Sequence, residues 1–434
     1  MFRTSKFRWG IVALLFLASA LNFFDRQVLS VLAPTILEDL RMTNVDYSYI
    51  VAAFTLSYSI MFTLGGRIID YLGTRIGMGF TVAFWTLSSV LHAAALNPIH
   101  LGVFRFMLGI GEGGCFPGAA KGALEWFPRR ERSLAMGIAT TGGSAIGALV
   151  APPVIVWTAV SVGWRGAFVV TGILGAVWVL LWFLLYRLPR ESHFTTPEEV
   201  DYILSDQEDS GAAAVETSSR TPWKAILRLR EVWGLIVTRF LLDPVFYFYM
   251  FWIPQYLSQE RGASLETIGN LTWIPFFTLG LSSVGGGAVS DRLVRSGWPV
   301  NRARKVIMAI AAFVTPVSML CVYAPNAEIA VALMSVLMFA HGFWMTNYMT
   351  LIGDLFPVST VGTVVGMSGT AGGAGGFLSS LFVGKLIETY TFTPAFIACG
   401  VLYPIGLLII LLTVPRIARL ELGLGPRDGT GHRQ

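Results

Sequence analysis

The sequence predicts an all-α membrane protein with twelve transmembrane helices in two pseudo-symmetric six-helix bundles, and three observations carry that prediction. The first is composition. Of 434 residues, 54% are hydrophobic and 13% charged, with a mean hydropathy of +0.64, whereas an ordinary soluble domain has about a quarter of its residues charged. The second is a series of apolar runs of about 20 residues, the length a helix needs to cross about 30 Å of hydrocarbon. The third is repetition between the two halves of the chain.

The first span is expected at 9–33, after the basic residues Arg3, Lys6 and Arg8, and it contains Asp25 and Arg26. Spans two to four are expected at 46–68, 76–96 and 100–120, the last carrying Arg105 and Glu112. Spans five and six, at 133–158 and 164–186, follow the basic loop of Arg129, Arg130 and Arg132 and complete an N-terminal bundle over 1–186. Residues 187–231 are too polar to span and read as a tether. Thr196-Pro197-Glu198-Glu199 supplies a cap, a first-turn proline and early acids, which start a short amphipathic helix running through Tyr202 and Leu204. Residues 208–221 read as a flexible Ser/Ala/Glu linker, and Pro222-Trp223 begins a second surface helix. The C-terminal bundle, 232–434 with its tail, holds spans at 232–257, 266–290, 304–324, 328–352, 361–385 and 392–414.

The distribution of basic residues orients the chain. With both termini in the cytoplasm, 24 of the 31 Lys and Arg lie on that side, including Arg302, Arg304 and Lys305. Four lie outside (Arg41, Arg165, Arg261, Lys385) and three within spans (Arg26, Arg105, Arg239). The positive-inside rule then places both termini and the tether in the cytoplasm. Cys115, Cys321 and Cys399 fall in apolar segments without paired or metal-ligand spacing, so they read as packing residues, with no disulfide framework. Ala18, Ser19 and Ala20 resemble a cleavage site, but cutting there would spoil an even helix count, so an uncleaved first span is expected.

Repetition is visible in two places. Glu125-Trp126-Phe127-Pro128 before span five is matched by Asp354-Leu355-Phe356-Pro357 before span eleven, and Gly137, Gly143 and Gly147 by Gly366, Gly372 and Gly376 at a constant offset of 229. Gly66-Arg67-Ile68-Ile69-Asp70 after span two is matched by Gly287-Ala288-Val289-Ser290-Asp291 after span eight. Two halves of like orientation with a site between them, rocking about it, are the economical reading.

These residues carry a family likeness. The chain resembles the major facilitator superfamily from Trp9 to Pro415. The motif with Gly66, Asp70, Gly73 and Arg75, and its copy with Gly287, Asp291 and Arg292, resemble that superfamily's cytoplasmic gate motif, although Tyr71 and Thr74 stand where basic residues are more usual. Within the superfamily the likeness is to the anion:cation symporter group, which includes bacterial hexuronate, galactonate and glucarate transporters. Asn22-Phe23-Phe24-Asp25-Arg26, the stretch from Arg105 to Glu112 with Pro117, Glu125-Trp126-Phe127-Pro128 and Trp252-Ile253-Pro254-Gln255-Tyr256-Leu257 carry it, and Ala151-Pro152-Pro153 and Arg239-Phe240-Leu241 are similar to the hexuronate transporters. Drug/proton antiporters carry a Gly-Pro and paired glycines in span five, where this chain runs from Gly147 to Ala151-Pro152-Pro153-Val154, so drug export is disfavoured.

Each charge at the centre of a membrane helix costs roughly 2.5–3.5 kcal/mol on the gentler scales, so Asp25, Arg26, Arg105 and Glu112 are expected to face water, a ligand or one another. Arg105 and Glu112 are seven residues apart, about 10 Å of rise and about 700° of turn, nearly one helix face. Arg26 and Arg105 are expected at one level, where two guanidiniums suit a carboxylate because the planar fork binds both oxygens and keeps its charge. Alternatively, the arginines only pair with Asp25 and Glu112 to tie spans one and four together. Asp25 and Glu112 are the candidate proton carriers, since protonation of a buried carboxyl beside an arginine depends on whether an anion has taken the arginine. A permanently ionised salt bridge is the alternative. The resemblance implies the same roles, with both carboxylates titrating and the span-four arginine binding substrate.

Arg239 precedes Asp243 by four residues and reads equally as an i,i+4 ion pair or a substrate contact. Pro244 and Pro254 are expected to break span seven and serve as hinges. Tyr58, Tyr247 and Tyr249 are candidate donors to sugar hydroxyls, with aromatic packing as the alternative. Asn347 is a further candidate contact, and His341 a candidate proton relay or a packed, hydrogen-bonded group. The glycine series in spans five and eleven suits close helix approach, with or without sliding.

There is no nucleophile elbow, no phosphate-cradling Gly-Lys loop and no cluster of metal ligands, so neither an enzyme nor an ATP-driven pump is expected, and neither cofactor nor metal. The sequence and the resemblance together predict a secondary transporter of a bacterial inner membrane, taking up a small sugar-acid anion such as a hexuronate or aldonate together with protons, and the resemblance implies a monomer. Its partners are the carboxylate substrate, protons and the bilayer, not nucleic acid. Na⁺ coupling, exchange of aromatic or dicarboxylic acids, and a non-transporting anion sensor are the alternatives; the sensor is disfavoured because no long signalling domain is present.

Overall fold

Lipid offers backbone groups no hydrogen-bond partner, so each crossing segment satisfies its own N–H and C=O groups as a helix. The computed structural model describes residues 6–205 and 226–419. Its first half contains α1 (Phe7–Asp39), α2 (Asn44–Leu72), α3 (Thr74–His92), α4 (Pro98–Glu112), α5 (Cys115–Trp126), α6 (Arg129–Met136), a π-helical turn at Gly137–Gly142 and α7 (Gly143–Leu185). Then come α8 (Pro197–Leu204), α9 (Arg230–Arg261), α10 (Leu265–Leu271), α11 (Trp273–Arg295), α12 (Val300–Val314) with a 3₁₀ continuation at Thr315–Tyr323, α13 (Ala327–Leu355), α14 (Val358–Tyr390) and α15 (Thr393–Thr413).

These elements make the twelve spans, with departures that have local causes. α7 is 43 residues long, about 65 Å and twice the hydrocarbon thickness. It is two spans joined at Gly163, whose φ of +78° only glycine adopts without strain. The packing shows the reversal: Gly143 at one end lies on Phe16 and Ser19, and Trp178 near the other end donates to the Leu14 carbonyl at 2.8 Å, at the same level of α1. Span four breaks at Gly113-Gly114 and runs on to Trp126, beyond the expected 120. Span eight is interrupted at Thr272, and span nine tightens into 3₁₀ from Thr315, next to Pro316. The expectation that Pro244 and Pro254 break span seven is corrected: α9 runs through both, a proline being tolerated where neighbouring helices and local adjustment re-satisfy the freed carbonyl.

Seven of the described helices are individually long and apolar enough to cross a bilayer, α7 and its lead-in counting as one of them. Spans three, four, eight and eleven fall short by composition or because they are broken. Side-chain caps begin several spans: Asn97 accepts from His100 N and Asn326 from Ile329 N, both at 2.9 Å, and Thr43 and Asp46 form a reciprocal capping box.

The repeated glycines serve one purpose twice. In the first half Gly143 and Gly147 bring α7 onto α1; in the second Gly372 and Gly376 bring α14 onto α9. A Cβ at Gly147 would lie 2.9 Å from Ala20 Cα, and one at Gly376 2.5 Å from Tyr247 Cε2. The tether's α8 forms as expected, with Thr196 capping Glu199 N at 3.3 Å. Buried Glu199 accepts from both the backbone N and Nη1 of Arg8 at 3.3 Å, which docks α8 on the start of α1. The flexible stretch expected over 208–221, the helix start at Pro222-Trp223 and the tail beyond 419 lie outside the described residues.

Candidate functional site

The two halves meet along α2 and α14, α1 and α9, and α7 with α10 and α11. Hydrogen bonds across this seam cluster at the end remote from Lys6 and Arg419. Ser30 donates to the carbonyls of Met250 and Phe251 at 2.9 and 3.1 Å, and Tyr47 to Phe251 O at 2.7 Å. Farther out, the side-chain amides of Asn44 and Gln259 exchange two bonds of 3.2 Å, and Glu388 accepts from Val45 N at 3.1 Å. Beyond this seal, toward the face of the chain ends, lies a cavity of about 600 Å³ with walls from both halves. Phe23, Arg26, Tyr58 and Ser59 come from the first half; Arg239, Asp243, Tyr247, Ser283 and His341 come from the second.

Arg26 is the charged group on the first wall. Its Nε donates to Glu112 Oε2 at 2.6 Å, with both side chains buried. The guanidinium lies over the rings of Tyr58 at 4.1 Å and Phe23 at 5.0 Å, which stabilises a cation while leaving one edge of the fork free. Nη2 of Arg26 and Oε1 of Glu112 have no hydrogen-bond partner among the described residues. A carboxylate entering the cavity therefore meets an arginine already desolvated and oriented, whose unpaired Nη2 is itself buried. An unmade hydrogen bond of this kind costs about 1–3 kcal/mol, and more for a charged group.

The other charges of the first half sit behind that wall, which corrects the expectation that Arg105 faces the cavity together with Arg26. Arg105 is wholly buried over the Phe54 ring and gives Nη1 and Nη2 to the carbonyls of Asp25 and Arg26 at 3.4 and 2.7 Å. It fastens α4 to the backbone of α1 and does not line the cavity. Asp25 does not line it either; its Oδ1 accepts from Ser89 Oγ at 2.8 Å, and Ser89 bonds Thr171 at 3.1 Å, between α3 and α7. Consecutive helical residues point about 100° apart, so Arg26 and Asp25 cannot face the same way. Arg105 and Glu112 are near each other, yet the ion pair that forms runs from Glu112 to Arg26.

In the second half, Arg239 and Asp243 make the intrahelical pair, with Nε–Oδ contacts of 2.8 and 2.9 Å and an Nη2–Oδ2 contact of 2.7 Å, and both line the cavity. His341 also lines it, stacked on Phe246 with Nδ1 hydrogen-bonded to Tyr403 Oη. Tyr58 and Tyr247 line the cavity. Tyr249 and Asn347 do not. Tyr249 Oη bonds Ser318 Oγ at 2.8 Å inside the second bundle, and Asn347 Nδ2 donates to Phe343 O at 2.9 Å and Gly286 O at 3.3 Å, fastening α13 to α11.

The two gate motifs make contacts within their own halves. Asp70 Oδ1 accepts from Lys121 Nζ at 2.8 Å, and Arg75 donates to Phe183 O at 2.8 Å. Gly73, at φ +76°, makes the one-residue turn between α2 and α3, and Gly66 faces Pro117. In the copy, Gly287 faces Thr346, Arg292 is exposed, and Asp291 accepts from Arg304 Nη1 at 3.1 Å. Arg304 also reaches Asp354 at 3.3 Å, whereas the matching Glu125 takes the hydroxyls of Thr74 at 2.7 Å and Tyr186 at 2.5 Å. Thr74 thus supplies Glu125 with a neutral donor. Sequence reasoning missed the amide seal of Asn44, Gln255 and Gln259; polar residues recurring beside Tyr47 and after Trp252 were the available signal.

Residues 15–380 and 256–429 match the sequence pattern of the Major Facilitator Superfamily. The chain is similar to the hexuronate transporter of Escherichia coli strain K12, 32% identical over 405 residues that cover 93% of each. It is similar to the galacturonate transporter of Dickeya chrysanthemi, 33% identical over 314 residues, 72% of this chain and 90% of the other. Its fold is similar to that of a bacterial homologue of the human lysosomal transporter Spinster in an inward-facing, occupied conformation, with TM-score 0.71, 18% identity and coverage of 94% and 95%.

Proposed function

Since the chain belongs to the major facilitator superfamily, a family of membrane transporters and not of enzymes, we propose that it takes up a hexuronate or a related sugar acid together with protons, by alternating access. The observation that carries this reading is the Arg26–Glu112 pair, stacked on Tyr58 at the wall of a cavity between the halves. The relatives named for hexuronate and galacturonate support the substrate class.

The chemistry follows from charge neutrality. Arg26, Arg105, Asp25 and Glu112 together are neutral when all are ionised. A carboxylate bound at Arg26 adds one negative charge in a setting where net charge is costly, and a proton on Glu112 restores neutrality. Anion and proton thus favour each other's binding, which is coupling. Arg105 keeps α1 and α4 in register, while Tyr58, Ser59, Tyr247 and Arg239 offer donors to hydroxyls or to the far end of the substrate. Asp25 does not line the cavity, and we assign it the weaker of the two proton roles. With 24 basic residues against 4, the termini and gate motifs are placed in the cytoplasm, and the sealed end of the seam faces outward. If more than one proton accompanies a monoanion, uptake gains about 2.3 kcal/mol per net charge per 100 mV.

The test is uptake of labelled D-glucuronate and D-galacturonate into proteoliposomes of the full chain. An inward proton gradient should drive accumulation, and a sodium gradient at equal pH should not. Accumulation that follows sodium and ignores pH would overturn the proton reading; failure of both uronates to enter, or to shift thermal unfolding, would overturn the substrate class.

A further inference from the structure

The reading above uses one arginine–carboxylate pair, and the cavity holds a second. Asp243 is the only carboxylate among the described residues that line it, since Glu112 lies behind Arg26. Exchange with cavity water is therefore direct at Asp243, whereas at Glu112 it requires Arg26 to move. An i,i+4 pair on a solvated helix surface contributes little to stability. That does not explain two charges placed at the wall of a membrane-embedded cavity, where each is expensive to insert. The fold also makes room for the acid. α14 presents Gly372 to the carboxylate, and a Cβ there would stand 2.5 Å from Asp243 Cγ.

We propose that Asp243 is a further proton-binding site, the one in the C-terminal half, which takes up its proton when a substrate oxygen displaces it from Arg239. This rests on the reading of the chain as a sugar-acid carrier. All the contacts of Arg239 with Asp243 use Nε and Nη2, so a substrate oxygen taking that edge leaves Asp243 a buried carboxylate without its hydrogen-bonded cation, which is costly. A proton passing from cavity water to an Asp243 oxygen removes that cost, and the N–H donors of Arg239 pass to the substrate. The groups that face Asp243 are Arg239 and Tyr247 on its own helix, His341 and Tyr348 on α13 and, behind His341, Tyr403 on α15. α14 brings only glycine, and Arg26 and Tyr58 stand on the opposite wall. Each half would then supply an arginine at the cavity wall and a proton acceptor paired with it, so that both sides of the rocking motion register the load.

Two measurements on the full chain in lipid test this. The first needs no substrate: in Arg239→Gln, which removes the pairing cation as displacement would, pH-difference infrared spectra between pH 5 and 8 should show a protonated-carboxyl band that Arg239→Gln/Asp243→Asn loses. Identical spectra for the single and double variants would overturn the proposal. The second uses D-galacturonate as probe and reads the proton-to-substrate ratio from the reversal potential. Asp243→Asn should lower the ratio by one proton. So should Arg239→Gln/Asp243→Asn, which removes both charges and guards against a fold defect from an unpaired arginine. If the double variant keeps the parent ratio, Asp243 is only the counter-ion of Arg239 and the proposal falls. Should the parent carry no D-galacturonate at all, the sugar-acid reading fails, while the infrared result still decides whether Asp243 takes a proton.

Discussion

Replacing Arg26 by lysine keeps the charge and removes the fork, and the structure allows the loss to be sized. Nε is committed to Glu112 at 2.6 Å and Nη2 is buried without a partner, so a substrate carboxylate is expected on the cavity side of the guanidinium, with the plane held on the Tyr58 ring at 4.1 Å. An ammonium cannot hold Glu112 and the ligand in that fixed geometry. One hydrogen bond to a charged group is worth about 1.5–3 kcal/mol, which converts to roughly 10- to 150-fold weaker binding at about 1.4 kcal/mol per decade. Arg105→Lys provides the contrast. Its two bonds go to the carbonyls of Asp25 and Arg26, so it should lower the thermal unfolding temperature yet leave affinity within about threefold, a difference under roughly 0.7 kcal/mol. The assay is calorimetric titration of purified parent and variants with D-galacturonate, beside thermal unfolding of the same samples. Parent-like affinity in Arg26→Lys, or a larger affinity loss in Arg105→Lys, would refute the assignment of the clamp to Arg26.

Four further outcomes are expected. Glu112→Gln imitates the protonated acid, so substrate exchange across proteoliposome membranes should survive while pH-driven accumulation collapses, and Asp25→Asn should show the same defect more weakly; a Glu112→Gln carrier that still accumulates would put the proton elsewhere. Asn44→Ala removes the amide pair with Gln259, a loss of about 1–3 kcal/mol for two hydrogen bonds, so a cysteine at Ser30 should react several-fold faster with an impermeant reagent, and an unchanged rate would mean that the apolar contacts alone keep the seal. Gly372→Ala must displace the Asp243 carboxylate, so transport should fall at least tenfold in protein that still inserts, about 1.4 kcal/mol on the barrier; full activity would show that α14 has room to retreat. Cysteines introduced at Ser210 and Gly429, both outside the described residues, should resist external labelling in intact cells, and efficient labelling would reverse the orientation drawn from the 24 to 4 distribution.

How much was legible in the chain depends on how local the governing physics is. Whether a run crosses the bilayer is settled by its own length and apolarity, so the twelve spans could be placed from residues 9 to 414. Insertion cost is likewise a property of the residue, which is why Arg26 and Glu112 stood out before any contact was known, and the 229-residue repeat already implied two similar halves. Which charge meets which depends on helix rotation, and a single residue turns the direction by about 100°. Adjacent Asp25 and Arg26 therefore went to opposite environments, Ser89 and the cavity, while Arg105 turned onto carbonyls and Tyr249 and Asn347 into the second bundle. The course of α9 through Pro244 and Pro254 was also undetermined locally, because the partners that make a proline tolerable belong to neighbouring helices. The seal of Asn44 on Gln259 joins residues 215 positions apart. Only the packing of the two halves could bring those amides within reach of each other.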